Sequence, residues 1–163
     1  MARLNDINDS LEVQAKQISS AIGSLATYLN EMHQYWAKAL DINAPQWTIL
    51  CTIADLDRNE GTSVKSVAKA LLVDPSFVTT QSKLLEKVGL LKRRGSADDA
   101  RIVLLSLTDK ARKQMAALSP QQQMLNEFVF ADYNRKDLAD LVDKLTRLTE
   151  KFAKASLKAT LGL

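Results

Sequence analysis

One cysteine, one histidine, three prolines and five glycines are spread over 163 residues. The lone Cys51 excludes an internal disulfide, and the lone His33 has no second thiol or imidazole at zinc-ligand spacing, so no metal is expected. There is no glycine-rich phosphate loop and no G-x-S-x-G elbow, and nothing in the chain couples one histidine to a nucleophile. Enzymatic chemistry and a resident cofactor are therefore not expected. No apolar run approaches the roughly 20 residues a membrane-spanning helix needs, and MARLNDINDSLEV lacks the basic and apolar regions of a signal peptide. These absences point to a reduced, cytoplasmic protein with no membrane partner. Repeats and low-complexity tracts are also missing.

What the chain does have is an uneven charge. Its net charge of +3 divides into 4 basic and 8 acidic residues over 1–61, 11 and 5 over 62–119, and 7 and 6 over 120–163. A surplus of six positive charges in the middle third fits a polyanionic partner, with a solvated basic face as the plainer alternative.

Leu11, Ala15, Ile18, Ile22, Leu25, Leu29, Met32 and Trp36 recur at steps of three and four, which predicts one long amphipathic helix over about 9–39. Leu138, Leu141, Leu145, Leu148, Phe152, Ala155 and Ala159 repeat the pattern near the other end. Two such stripes exceed what a small core covers, so a homodimer paired through residues 1–44 and 120–163 is the expectation; an intramolecular helical hairpin is the alternative. Between them Pro45 opens a helix, NEGTS turns into VKSVAKALLV, and Asp74–Pro75 starts a helix that Gly89 ends. Leu90–Arg94 and Ile102–Leu107 read as a hairpin around GSADDAR, Thr108 caps a further helix, and Pro120 is expected to break or restart it.

The fold class is therefore mainly α with a small β-hairpin wing: a winged helix-turn-helix lobe over 45–119 between long N- and C-terminal dimerisation helices. On the helix after Pro75, helical spacing gathers Val78, Gln81, Leu85 and Val88 on one side. Ser76, Thr79, Thr80, Lys83 and Lys87 lie on the other, a small, polar and basic surface suited to a DNA groove. At the hairpin tip Asp99 is placed to hold Arg101 for the minor groove, with Lys92, Arg93 and Arg94 available to the DNA backbone. An ordinary surface turn with one exposed ion pair is the plainer reading of that tip.

The segment DPSFVTTQSKLLEKVGLLKRR, followed by Asp99, Arg101, Leu105, Leu107 and Thr108, resembles the recognition helix and wing of MarR-family regulators over about residues 45–115. The resemblance implies a dimeric transcription factor, usually a repressor, that binds a palindromic double-stranded DNA operator and is released by a small ligand or an oxidant. Carried over by position, it places Ser76, Thr79 and Thr80 at bases, Lys83 at bases or phosphates, Arg94 at phosphate, and Arg101 in the minor groove with Asp99 holding it. Many members have arginine where Thr80 stands, so base preference there does not transfer.

The resemblance also implies an effector pocket beside the first, second and fifth helices, where this chain has Tyr28, His33, Tyr35, Trp36, Trp47, Cys51 and Arg112. Aromatic walls with His33 or Arg112 as carboxylate partner suit a planar organic acid or its conjugate, while plain core packing is the alternative for each aromatic. Peroxide-sensing members carry a cysteine near the start of the first helix and this chain has none, which leaves Cys51 as the redox alternative. A winged helix retained as a protein-interaction module is the remaining rival.

Overall fold

The computed structural model describes residues 2–57, 60–97, 99 and 101–162. By its backbone contacts the chain forms two units, residues 1–118 and 119–163.

The first unit begins with α1 (Ala2–Lys38), longer at its start than the apolar spacing indicates. A turn through Asp41, whose φ is 54°, leads to α2 (Ala44–Leu56). There Asn43 and Gln46 form a reciprocal capping box. The Asn43 side chain accepts the Gln46 N–H at 2.9 Å and the Gln46 side chain accepts the Asn43 N–H at 3.2 Å, with Pro45 pre-set for the first turn. A two-residue strand β1 (Thr62–Ser63) precedes α3 (Val64–Leu71), capped by the Ser63 hydroxyl. Asp74 caps α4 (Pro75–Lys87), its carboxylate accepting the Ser76 N–H at 2.7 Å. Strands β2 (Leu91–Gly95) and β3 (Val103–Leu107) pair antiparallel as expected, with Arg93 opposite Leu105. β1 adds a third strand on the far side of β3, Thr62 opposite Leu105, which gives the order β1-β3-β2. Two residues of strand carry too little alternation to be visible in a sequence.

Ile49, Leu50 and Ile53 of α2, Val67 of α3, Val78 and Leu85 of α4, and Leu90 and Leu105 of the sheet region make the core. Burying each of these aliphatic side chains contributes about 1.5–3 kcal/mol. Trp36 and Trp47 join them, so Trp36 seals the α1–α2 contact. On α4 the buried face is Val78, Ser82 and Leu85; Val88 is exposed and Gln81 half-buried, against the inward placement that spacing suggested for both.

A buried carboxylate organises the junction after α2. Asp57, with a side chain 2% exposed, accepts the Gly61 N–H at 2.8 Å and faces the Arg112 guanidinium at 3.4 Å. Gly61 sits at φ +84°, and a Cβ there would lie 3.2 Å from the Leu105 carbonyl oxygen, so the turn requires glycine. Thr108 begins α5 (Asp109–Val129): its hydroxyl donates to the Gly89 carbonyl at 2.8 Å and accepts the Ala111 N–H at 3.1 Å.

Pro120 does not break α5, which runs through it. Proline removes one N–H from the helical ladder at a cost of about 3 kcal/mol. The strong helix formers around it, Ala116, Ala117 and Gln121 to Gln123, carry the helix on.

In the second unit α6 (Arg135–Leu161) starts at a capping box made by Asn134 and Asp137 and ends at Gly162 in the left-handed region. None of its residues is buried. Leu141, Leu145 and Phe152 are exposed there, as Leu11, Ile18, Ile22, Leu25 and Leu29 are on α1. Among the described residues no helix is long and apolar enough to cross a membrane, and no group of His, Cys, Asp or Glu is placed to hold a metal.

Candidate nucleic-acid interface

The sequence places hydroxyl and basic side chains on the free side of α4, and the fold keeps them there. Ser76, Thr80, Lys83 and Lys87 are exposed and Thr79 is half-buried at the edge. Asp74 fixes the first turn; its own pKa lies below the ordinary carboxylate value because the Ser76 hydroxyl, and then the Ser76 N–H, hydrogen-bond to its ionised form.

The wing approaches the start of α4. A cleft of about 440 Å³ is lined by Lys65 of α3, Pro75 and Thr79 of α4, and Arg101 and Val103 of the wing. Of the expected contact residues, the structure thus brings Thr79 and Arg101 to one opening and adds Lys65, which the sequence reading passed over. At the wing tip, Asp99 does hold Arg101, but through the main chain. Its carboxylate accepts the Arg101 N–H at 2.9 Å and its carbonyl accepts the Ile102 N–H at 2.9 Å, an Asx turn that fixes the backbone from which the guanidinium projects.

Three neighbouring basic residues on β2 do different things. Lys92 is exposed. Arg94 is exposed and its guanidinium donates to the Glu60 carbonyl, which anchors it beside the Gly61 turn. Arg93 is turned inward, against the expectation that it is free for DNA. Its guanidinium donates to the Ser82 hydroxyl and, at 3.3 Å, to the Thr79 carbonyl, and Glu86 accepts its main-chain N–H at 3.1 Å. The alternating pleat explains this: Arg93 falls on the face of β2 that meets α4.

The expected effector residues do not form one set. Trp36 and Trp47 are buried in the core, while Tyr28 and Tyr35 are exposed, Tyr35 stacking edge-on to Trp36 at 4.9 Å. His33 is half-buried with Nδ1 at 3.4 Å from the Thr48 hydroxyl, and burial pushes its pKa below the ordinary 6.5. Cys51 lies one turn on from Trp47 and Thr48, half-buried; burial, then the Asp55 carboxylate, push its thiol up to about 11. Arg112 is engaged by Asp57 just past the end of α2, whereas His33 meets Thr48 near its start. Nine residues of helix separate the two places, roughly 13 Å. One carboxylate cannot bridge His33 and Arg112 in this arrangement.

Residues 42–103, the span that contains α2, α3, α4, the cleft and β2, match the model of the MarR family. The chain is 28% identical over 86 residues to the uncharacterized HTH-type transcriptional regulator YdgJ of Bacillus subtilis, a match covering 53% of this chain and 52% of that protein. It is 27% identical over 146 residues to the transcriptional regulator ZitR of Lactococcus lactis, covering 85% and 97%. The chain therefore spans about half the length of the first relative and nearly all of the second. Among solved structures, a putative MarR family transcriptional regulator from Listeria monocytogenes complexed with 26mer DNA shares the fold. The TM-score is 0.72 at 20% identity, over 88% of this chain and 93% of that one.

Proposed function

We propose that this chain, whose residues 42–103 match the MarR family model, acts as a homodimeric repressor of a palindromic operator, released by a small organic acid. The observation that carries the DNA side of this reading is the shared cleft, with Thr79 and Arg101 on its walls and the hydroxyl and basic arc of α4 beside it. With α4 in the major groove, Ser76, Thr79 and Thr80 face bases and Lys83 faces a base or phosphate. Arg94 meets phosphate, and Arg101, on a backbone held by Asp99, enters the adjacent minor groove.

Reading both halves of a palindrome requires two recognition helices one DNA turn apart, about 34–36 Å, which one chain does not supply. The apolar stripes left open on α1 and α6 support pairing of two chains through residues 1–44 and 120–163. Leu145→Asp then converts the dimer to monomer in sedimentation and lowers operator affinity with it; a charged variant that stays dimeric and binds fully overturns the seam.

For release, an aromatic carboxylate is the first class to try, with the half-buried His33 beside Thr48 offering it a hydrogen bond from a neutral ring. Such a ligand weakens DNA binding by its preference for a different separation of the lobes. Oxidation at Cys51 is disfavoured by its high thiol pKa.

The test of function is selection of bound fragments from sheared source DNA at two salt concentrations. Enrichment of one palindrome, with affinity falling steeply with salt, supports the repressor. Salt-sensitive binding without enrichment reduces it to a nonspecific binder, and no binding at either salt favours a protein-interaction module.

A further inference from the structure

The free arc of α4 is less polar than its residue names suggest. The Ser76 hydroxyl is bonded to the Asp74 carboxylate, and the Thr80 hydroxyl donates to the Ser76 carbonyl at 3.0 Å. With that donor spent on the helix itself, Thr80 offers DNA its methyl group and a hydroxyl acceptor. The helix contains no arginine or asparagine. Its one amide side chain, Gln81, accepts from the buried Gln46 amide at 3.1 Å. Lys83 and Lys87 can still reach guanine, but arginine and asparagine are absent and the Gln81 carbonyl oxygen is already taken.

In their place stand exposed hydrocarbons. Phe77 is 38% exposed and Leu84 47% exposed, and together with Thr80 they follow the i, i+3, i+7 spacing of one helical row. This row adjoins the basic residues Lys83 and Lys87 on the same free side of the helix, so it is continuous with the surface that meets DNA. An apolar row flanked by cations, on a helix whose first turns enter the major groove, matches the one apolar feature of base edges there, the 5-methyl group of thymine.

We propose that this recognition helix selects its operator through thymine methyl groups, with Phe77 and the Thr80 methyl making the contacts and Leu84 extending the row. The proposal rests on the DNA-binding reading above and adds to it what is read.

The experiment uses the full-length protein and the operator obtained by selection. Each thymine of the half-sites is replaced in turn by deoxyuridine, which removes the methyl and keeps every base-pair hydrogen bond, and affinity is measured by fluorescence anisotropy. Burying one methyl predicts about a fourfold loss at one or two positions per half-site, and roughly fifteenfold when both half-sites are changed. Phe77→Ala binds the parent operator more weakly and no longer distinguishes thymine from uracil at the position under the ring. Uracil tolerated everywhere by the wild-type protein, on an operator it still selects, overturns the methyl reading and leaves the repressor intact. Failure to select any operator overturns both.

Discussion

Arg93 donates from its guanidinium to the hydroxyl of Ser82, a side chain with no solvent exposure at the centre of the buried face of α4. The bond ties the wing's first strand to the recognition helix. It gives Arg93 a different task from Arg94 beside it.

The two arginines therefore separate experimentally. Arg93→Ala leaves Ser82 without that partner in a dry site and costs about 1–3 kcal/mol of stability, seen as a lower urea midpoint. Its operator binding keeps the wild-type salt slope. Arg94→Ala and Arg101→Ala retain the midpoint but lower the slope of log K against log salt by about one each, as expected for a lost phosphate or groove contact. A reduced slope in the Arg93 variant would show that it reaches DNA after all.

Leu72, in the turn between α3 and α4, holds the left-handed conformation at φ 55° and ψ 40° with 76% of its surface exposed. That backbone costs a non-glycine residue about 1–2 kcal/mol. Glycine's larger freedom in the unfolded chain offsets about half of the relief. Leu72→Gly is expected to stabilise the protein by about 0.5–1 kcal/mol in urea unfolding. A loss of stability would mean that the leucine side chain is packed against something in solution.

Cys51 is expected to be chemically quiet. With its thiol at about 11, thiolate at pH 8 is roughly one molecule in a thousand. Alkylation by iodoacetamide should run on the order of a hundredfold slower in the folded protein than in urea. Peroxide should leave operator affinity unchanged. Rapid labelling of folded protein, with loss of DNA binding, would revive the redox reading.

His33 makes stability depend on pH. Its folded pKa lies below 6.5, so as pH falls the unfolded chain takes up the proton first. The contribution of neutral His33 is complete above about pH 6.5 and declines as pH drops through the interval down to the folded value. His33→Gln should remove this part of the decline in urea midpoint between about pH 7.5 and about pH 5.5. Equal declines in both proteins would refute the assignment.

The helices and hairpin were legible because they rest on local rules: apolar spacing, Asp74–Pro75 at a helix start, Gly89 at a helix end. The outward set on α4 was legible for the same reason, since helical geometry alone decides which residues share a face. What escaped depends on tertiary contact. Nothing local marks Ser82 as the acceptor for Arg93, although a serine at four-residue spacing from Val78 and three from Leu85 falls inside an apolar stripe and so needs a partner. Pro120 misled because its local cost was taken as decisive when the flanking helix formers outweigh it. The aromatic set around α1 and α2 looked like one pocket because sequence gives no axial distance between Arg112 and His33.

The carboxylate of Asp57 sits where the end of α2, the turn entering β1 and the first turns of α5 converge. Such a joint acts as a weld rather than a bearing. The wing root at Gly61 and Thr62 cannot swing about α2 without stretching a bond to a buried anion, so the end of α2, β1 and the root of α5 are held as one piece.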